Sequence, residues 1–293
     1  MEFSVLTADK VSSAAIWAML TEAAVSPMPG LVDRANSGSH RDMDFFTLID
    51  SALALLPWFR DCALAGFASG DKGLEPSEPV VLFEALRPLG RKAEAEMKKA
   101  TAGVNAHRGY IFCLGILCAA YGRLCRDRRG PDLAGLMEFS KAMTSALEED
   151  FSGIDKSSNE AGALSHGEAV YAKSGIKGIR GEVSRGFPSV TEQALPLLSR
   201  LLKQGHSLND AGIAVLLKLM AHAEDTNLIH RAGLEMFRSI QGELRAFLAS
   251  DPDMEAIREK AAVMDREFIS KNISPGGCAD LLGVTFFLRR VFV

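Results

Sequence analysis

The chain has 293 residues, 47% of them hydrophobic and 24% charged, which is ample material for a core and excludes intrinsic disorder. A formal net charge of −4 argues against a nucleic-acid partner, so a polyanionic ligand must be met by local Arg and Lys, backbone N–H groups or metal ions. Aromatic residues make up only 7%, and this favours helices over sheets.

From Asp9, Val11, Ala14, Ala15, Ala18, Met19 and Ala23 trace one helical face, broken only by Glu22. That helix is expected to stop near Ser26, before Pro27, Pro29 and Gly30. A second starts near Asp42, carries Phe45, Phe46, Ile49, Leu53 and Leu56, and is expected to kink or end at Pro57. Helices are further predicted over 78–100, 109–128, 132–150, 159–173, 190–203, 208–224, 230–249, 253–271 and 276–290. The stretch from Ser69 to Pro79 reads as a surface loop. The Phe- and Val-rich stretch 284–293 reads equally as a strand or a buried helix. No repeat or linker divides the chain, so one all-α domain over 1–293 is the simplest organisation.

Five cysteines without a C-x-x-C pair suit a reducing cytoplasm. No signal peptide is visible at the N-terminus. The longest uncharged stretch, between Arg108 and Arg123, falls well short of the ~20 residues that span a bilayer. A cytoplasmic protein without membrane contact is expected.

The connections are chemically dense. Segment 26–44 holds Asp33, Arg34, Asn36, His40, Asp42 and Asp44, and segment 102–109 holds Asn105, His107 and Arg108. Segment 179–190 carries Arg180, Glu182 and Arg185; segment 223–233 carries Glu224, Asp225, Asn227, His230 and Arg231. Helix starts offer free N–H groups to phosphate, and carboxylates two apart can share hydrated Mg²⁺. Each residue also has a structural reading: Asp42 as a cap, Asp44 complementing the helix dipole, Asn105 as a cap, His107 as a satisfied core histidine, Arg180 and Glu182 as a solvated ion pair. If the helix from 208 continued through 223–233, Glu224, Asn227 and Arg231 would share one stripe with His230 beside it. Glu224 and Asp225 then reach one metal only if the helix breaks there. A last segment, 274–283, contains Asp280, which taken alone is helix-start chemistry. No Walker P-loop, G-x-S-x-G, H-E-x-x-H or His-Asp dipeptide is present.

In order along the chain, PMPGLVDRANSGSHRDMDFFTL, AGVNAHRGYIFCLG, RGEVSRGFPSV, EDTNLIHRAG and PGGCADLLGVTFFL resemble the successive motifs of the triphosphoribosyl-dephospho-CoA synthases. The resemblance runs from about Ala23 to Leu288. Cys278 in the last motif and Arg185 after Val-Ser are small departures.

The resemblance implies an all-helical fold and a reaction of ATP with 3′-dephospho-CoA that releases adenine. The product is the precursor of the prosthetic group on an acyl-carrier subunit of citrate lyase or malonate decarboxylase. A prosthetic-group transferase is the implied partner. On this reading Asp42 or Asp44, with Glu224 and Asp225, hold Mg²⁺ and triphosphate. Arg34, Arg108, Arg180 and Arg231 take phosphates, and Asn36, Asn105, Asn227 and His230 complete the nucleotide site. Glu182 or Asp33 is the base, and His40 or His107 protonates adenine. The competing readings are a helical metal-dependent phosphohydrolase or ADP-ribose hydrolase, and a nucleotide-binding module without catalysis.

Overall fold

A computed structural model describes residues 2–69, 79–126, 130–147 and 166–293; among them are twelve α-helices, one π-helical turn and no strand. The expected all-α fold is therefore the fold observed. The loop read between Ser69 and Pro79 lies mostly outside the described residues, as do the end of the helix expected over 132–150 and the start of that over 159–173.

Five helices form the first half: α1 (Glu2–Ala24), α2 (Phe45–Ala68), α3 (Pro79–Ala100), α4 (Arg108–Arg126) and α5 (Leu133–Met143). Next come α6 (His166–Ser174), α7 (Gly178–Ser184), the π turn (Ser189–Ala194) and α8 (Leu195–Lys203). The chain closes with α9 (Leu208–His222), α10 (Thr226–Ala249), α11 (Met254–Lys271) and α12 (Gly276–Phe292). One apolar cluster runs through both halves, from Ala8 to Leu288.

α12 joins the halves, packing on α1 and α4 on one side and on α7, α8, α9 and α10 on the other. Its residues from Gly277 to Leu288 are almost all buried, which explains the ambiguous 284–293 stretch. A helix covered on every side shows no polar face and hence no amphipathic rhythm.

Three boundaries differ from expectation for local reasons. α2 passes through Pro57 without ending, because Pro57 and its neighbours Leu53 and Leu56 lie on an exposed face. A carbonyl deprived of its N–H partner there can turn to water. α2 also starts at Phe45, with Asp44 rather than Asp42 as its cap. Segment 179–190 is largely helical: α7 ends at Ser184, Gly186 and Phe187 beyond it are both at positive φ, and the π turn follows.

α2 and α4 cross at close range. A Cβ on Gly66 would lie 1.9 Å from the Ala119 carbonyl oxygen, and one on Gly122 2.0 Å from that of Ala63. The reciprocal A-x-x-G pairs, Ala63 with Gly66 and Ala119 with Gly122, let the two backbones touch. Gly122→Leu should therefore destabilise the chain by about 3 kcal/mol or more, since two backbones must separate. Gly242→Ala, in α10 where a Cβ meets nothing, should instead stabilise by ~0.5 kcal/mol. Chemical denaturation midpoints of the two variants check this opposition of sign.

Candidate active site

Segment 26–44, the start of α4 and the starts of α10 and α12 converge with α3 around a cavity of about 940 Å³. Glu22 of α1, Tyr110 of α4 and Asp280 of α12 are among its lining residues. Apolar side chains, among them Trp58, Phe83 and Phe112, contribute further wall. Six cationic side chains reach it: Arg87, Arg91, Arg108, Lys177, Arg180 and Arg231.

Segment 26–44 is held in shape by its own polar residues. Buried Asp33 accepts hydrogen bonds from the N–H groups of Met28, Ala35 and Asn36, at 2.7–3.1 Å. Asp265 of α11 accepts from Gly30 N–H and from the Asn36 amide. Arg34 donates to Asn209 and lies off the cavity. Asp33, Arg34 and Asn36 thus shape the segment outside the cavity. His40 and Asp42 reach it.

His40 Nε2 sits 3.0 Å from the Ser274 hydroxyl, with Arg231 3.5 Å and Asp42 3.8 Å from Nδ1. Burial and the Arg231 charge hold its pKa below the ordinary imidazole value. Arg231 itself donates to the carbonyls of Ser39 and Asn272 and to the Asn272 side chain.

The 102–109 segment delivers Asn105, His107 and Arg108 together. Arg108 pairs with Glu94 at 3.1 Å. His107 is 4% exposed, its Nδ1 2.8 Å from the Ser51 hydroxyl, while Nε2 has no hydrogen-bond partner among the described residues. Burial pushes its pKa down to about 3, so the ring is neutral near pH 7.

The chain breaks between α9 and α10, and the adjacent carboxylates there part company. Glu224 accepts from the N–H groups of Lys177 and Gly178, pinning the start of α7. Asp225, fully buried, caps α10 through Leu228 N–H at 2.9 Å and α12 through Cys278 N–H at 2.8 Å. Burial raises its pKa and these N–H groups lower it. Asn227, His230 and Arg231, from the first turns of α10, line the cavity. Arg180 lines it too, paired with Glu168 at 3.2 Å. Glu182 does not; it is buried in α7 and accepts from the Ser189 hydroxyl and N–H, which anchors the π turn.

Of the sixteen singled-out residues, nine therefore meet on one cavity: His40, Asp42, Asn105, His107, Arg108, Arg180, Asn227, His230 and Arg231. The four proposed metal carboxylates are not brought together. Asp44 caps α2, Glu224 and Asp225 are engaged by backbone N–H groups, and Asp42 stands exposed beside His40. Among the described residues no group of three or more His, Cys, Asp or Glu is arranged to hold a metal ion.

Glu22, Tyr110 and Asp280 were outside the singled-out set. Burial pushes both carboxyls well above the usual carboxylate range, Glu22 further through nearby Asp280 and Asp280 through nearby Asp225. The signal for Glu22 was its position as the one charge on the apolar face of α1. Asp280 carried the ordinary signature of a helix start and nothing more.

Comparison with known proteins is consistent along the chain. The family model for ATP:dephospho-CoA triphosphoribosyl transferase matches residues 8–292. A probable 2-(5''-triphosphoribosyl)-3'-dephosphocoenzyme-A synthase of Streptococcus pyogenes serotype M49 (strain NZ131) is 36% identical, covering 98% of this chain and 97% of the relative. A protein of the same name from serotype M3 (strain ATCC BAA-595 / MGAS315) shows the same 36% identity over 98% of this chain and 97% of its own. No solved structure matches the chain. With the match running from α1 into the last turn of α12, the chain belongs to the ATP:dephospho-CoA triphosphoribosyl transferase family.

Proposed function

We propose that this chain transfers the triphosphoribosyl group of ATP to 3′-dephospho-CoA and releases adenine. The product, 2′-(5″-triphosphoribosyl)-3′-dephospho-CoA, would serve the acyl-carrier subunit of citrate lyase or malonate decarboxylase through a prosthetic-group transferase. The carrying observation is convergence: segments distant in sequence bring cationic and amide side chains to one cavity of about 940 Å³. That volume lies at the upper end of the roughly 300–1,000 Å³ typical of small-molecule sites.

The chemistry is glycosyl transfer. A ribose hydroxyl of dephospho-CoA attacks C1′ of the ATP ribose, and the C1′–N9 bond breaks toward adenine. The triphosphate is kept, so its charge must be held without activating a phosphorus atom. Arg108, Lys177, Arg180 and Arg231 are placed for this, and Asn105, Asn227, His40 and His230 offer hydrogen bonds to ribose and base.

Mg²⁺, when bound, neutralises the triphosphate. The donor set among the described residues does not fit a preformed ion site, so Mg²⁺ is assigned to ATP as its counter-ion and no step is routed through it. No described helix is long and apolar enough to cross a membrane. A cytoplasmic setting, with ATP at hand and the cysteines reduced, completes the reading.

Incubation with ATP, Mg²⁺ and dephospho-CoA should give the conjugate and free adenine by mass. Inorganic phosphate without adenine, or ATP binding without turnover, would overturn the assignment. Arg180→Met should raise KM for one of the two substrates roughly 10–100-fold, the loss of one charge-assisted contact to phosphate, with a smaller change in kcat.

A further inference from the structure

Resting on that reading, we infer that Glu22 and Asp280 act as a pair sharing one proton: Asp280 is the base for the attacking ribose hydroxyl and Glu22 the acid for departing adenine. Tyr110 is the positioning residue. The three come from α1, α12 and α4 and line the same cavity.

Asp280 faces the cavity with no hydrogen-bond partner among the described residues, although protein surrounds it. It fits only because position 109 has no side chain: a Cβ there would lie 1.9 Å from Asp280 Oδ2. A second unused polar group, His107 Nε2, is buried in a residue lining the same cavity. The Asp280 carboxyl, unpaired among the described residues and facing the cavity, marks where a substrate atom binds.

Helix ends distinguish the two carboxyls. Asp280 lies against Gly109, in the first turn of α4, where the positive end of the dipole favours an anion. Glu22 lies in the last turn of α1, where the negative end favours the proton. The Tyr110 hydroxyl donates its only proton to the Ala279 carbonyl, at 2.9 Å, which can only accept. The same hydroxyl reaches Glu22, a contact that lowers the Glu22 pKa against the larger rise caused by burial and Asp280. Asp33 and Tyr110 also face Glu22; Asp225, Cys113 and Cys278 face Asp280. Among the described residues no Arg or Lys relieves the repulsion within this group.

The step balances. The hydroxyl O–H bond breaks onto Asp280 as oxygen bonds to C1′. The C1′–N9 electron pair leaves with adenine, which takes the Glu22 proton. The pair still holds one proton, now on Asp280, and its return to Glu22 resets the site.

Adenine release by the parent chain is measured first, since its absence would overturn the reaction and the pair together. With that activity present, Glu22→Gln and Asp280→Asn should each lower kcat about 10²–10⁴-fold while unfolding cooperatively. The base of 7-methyl-ATP already carries positive charge and leaves without a proton. This substrate should restore Glu22→Gln to within about tenfold of the parent and leave Asp280→Asn low. Tyr110→Phe should move the parent pH profile more than it lowers the maximal rate. Activity of either carboxyl variant within about threefold of the parent, or equal responses to 7-methyl-ATP, would overturn the pair while the reaction stands. Should a variant fail to fold, the parent decides: kcat must fall at both pH extremes, and a flat profile from about pH 5 to 9 overturns the proposal.

Discussion

Asp280→Asn is expected to slow adenine release by about two to four orders of magnitude and to raise the thermal unfolding midpoint at pH 8. The two effects share one cause. Burial, with the charge of Asp225 nearby, places Asp280 where ionisation is costly, so its folded pKa stands well above the unfolded value near 4. Between those two values the folded chain binds more protons than the unfolded chain, and stability falls as pH rises. The contribution is fully present below the unfolded pKa and is lost as pH climbs through the folded one. Asparagine cannot ionise, so the variant escapes that loss. Its advantage should be absent near pH 4 and grow to ~1 kcal/mol or more at pH 8, a few degrees in midpoint for a chain of this length. Unfolding scans across that pH range, beside adenine-release assays, measure both halves. A midpoint that drops equally at every pH would show that the carboxylate is structural.

The same duality explains what was legible in the sequence. Helix existence and order follow from apolar rhythm, and the polar segments stood out because bundle connections seldom carry so many Asn, His, Arg and carboxylate groups. Which residue within a segment faces the cavity was not legible. Asp33, Asp44, Glu182, Glu224 and Asp225 all accept backbone N–H groups, and a carboxylate that organises a turn is the same residue type as one that handles a proton. Long cationic side chains were easier to place. Arg108, Arg180 and Arg231 project from helix starts, so the end of the helix decides where they point. Glu22 was visible as a fault in an apolar stripe, yet a single buried carboxylate gains meaning only beside Asp280, 258 positions later in sequence and adjacent only in the fold.

Asp225→Ala should give the largest loss of stability of any single carboxylate change, about 3–5 kcal/mol. The carboxylate receives one N–H from the first turn of α10 and one from the first turn of α12, and it is completely buried. Pro275, ahead of α12, provides no side-chain cap, so Asp225 is the side chain that serves that terminus. Removing it strands two buried donors at about 1–3 kcal/mol each and deletes a cap worth ~1 kcal/mol. Asp225→Asn retains one acceptor oxygen but turns an amide N–H₂ toward the other donor, so it should fall between Ala and the parent. Space beside it is tight, since a Cβ on Gly277 would lie 3.1 Å from the carboxyl carbon. Denaturation in excess EDTA separates this role from metal ligation. A structural carboxylate shows the full loss without Mg²⁺, whereas a metal ligand shows it only when Mg²⁺ is supplied. Because Asp280 rides on the helix that Asp225 anchors, adenine release should fall with Asp225→Ala even at temperatures where the chain remains folded.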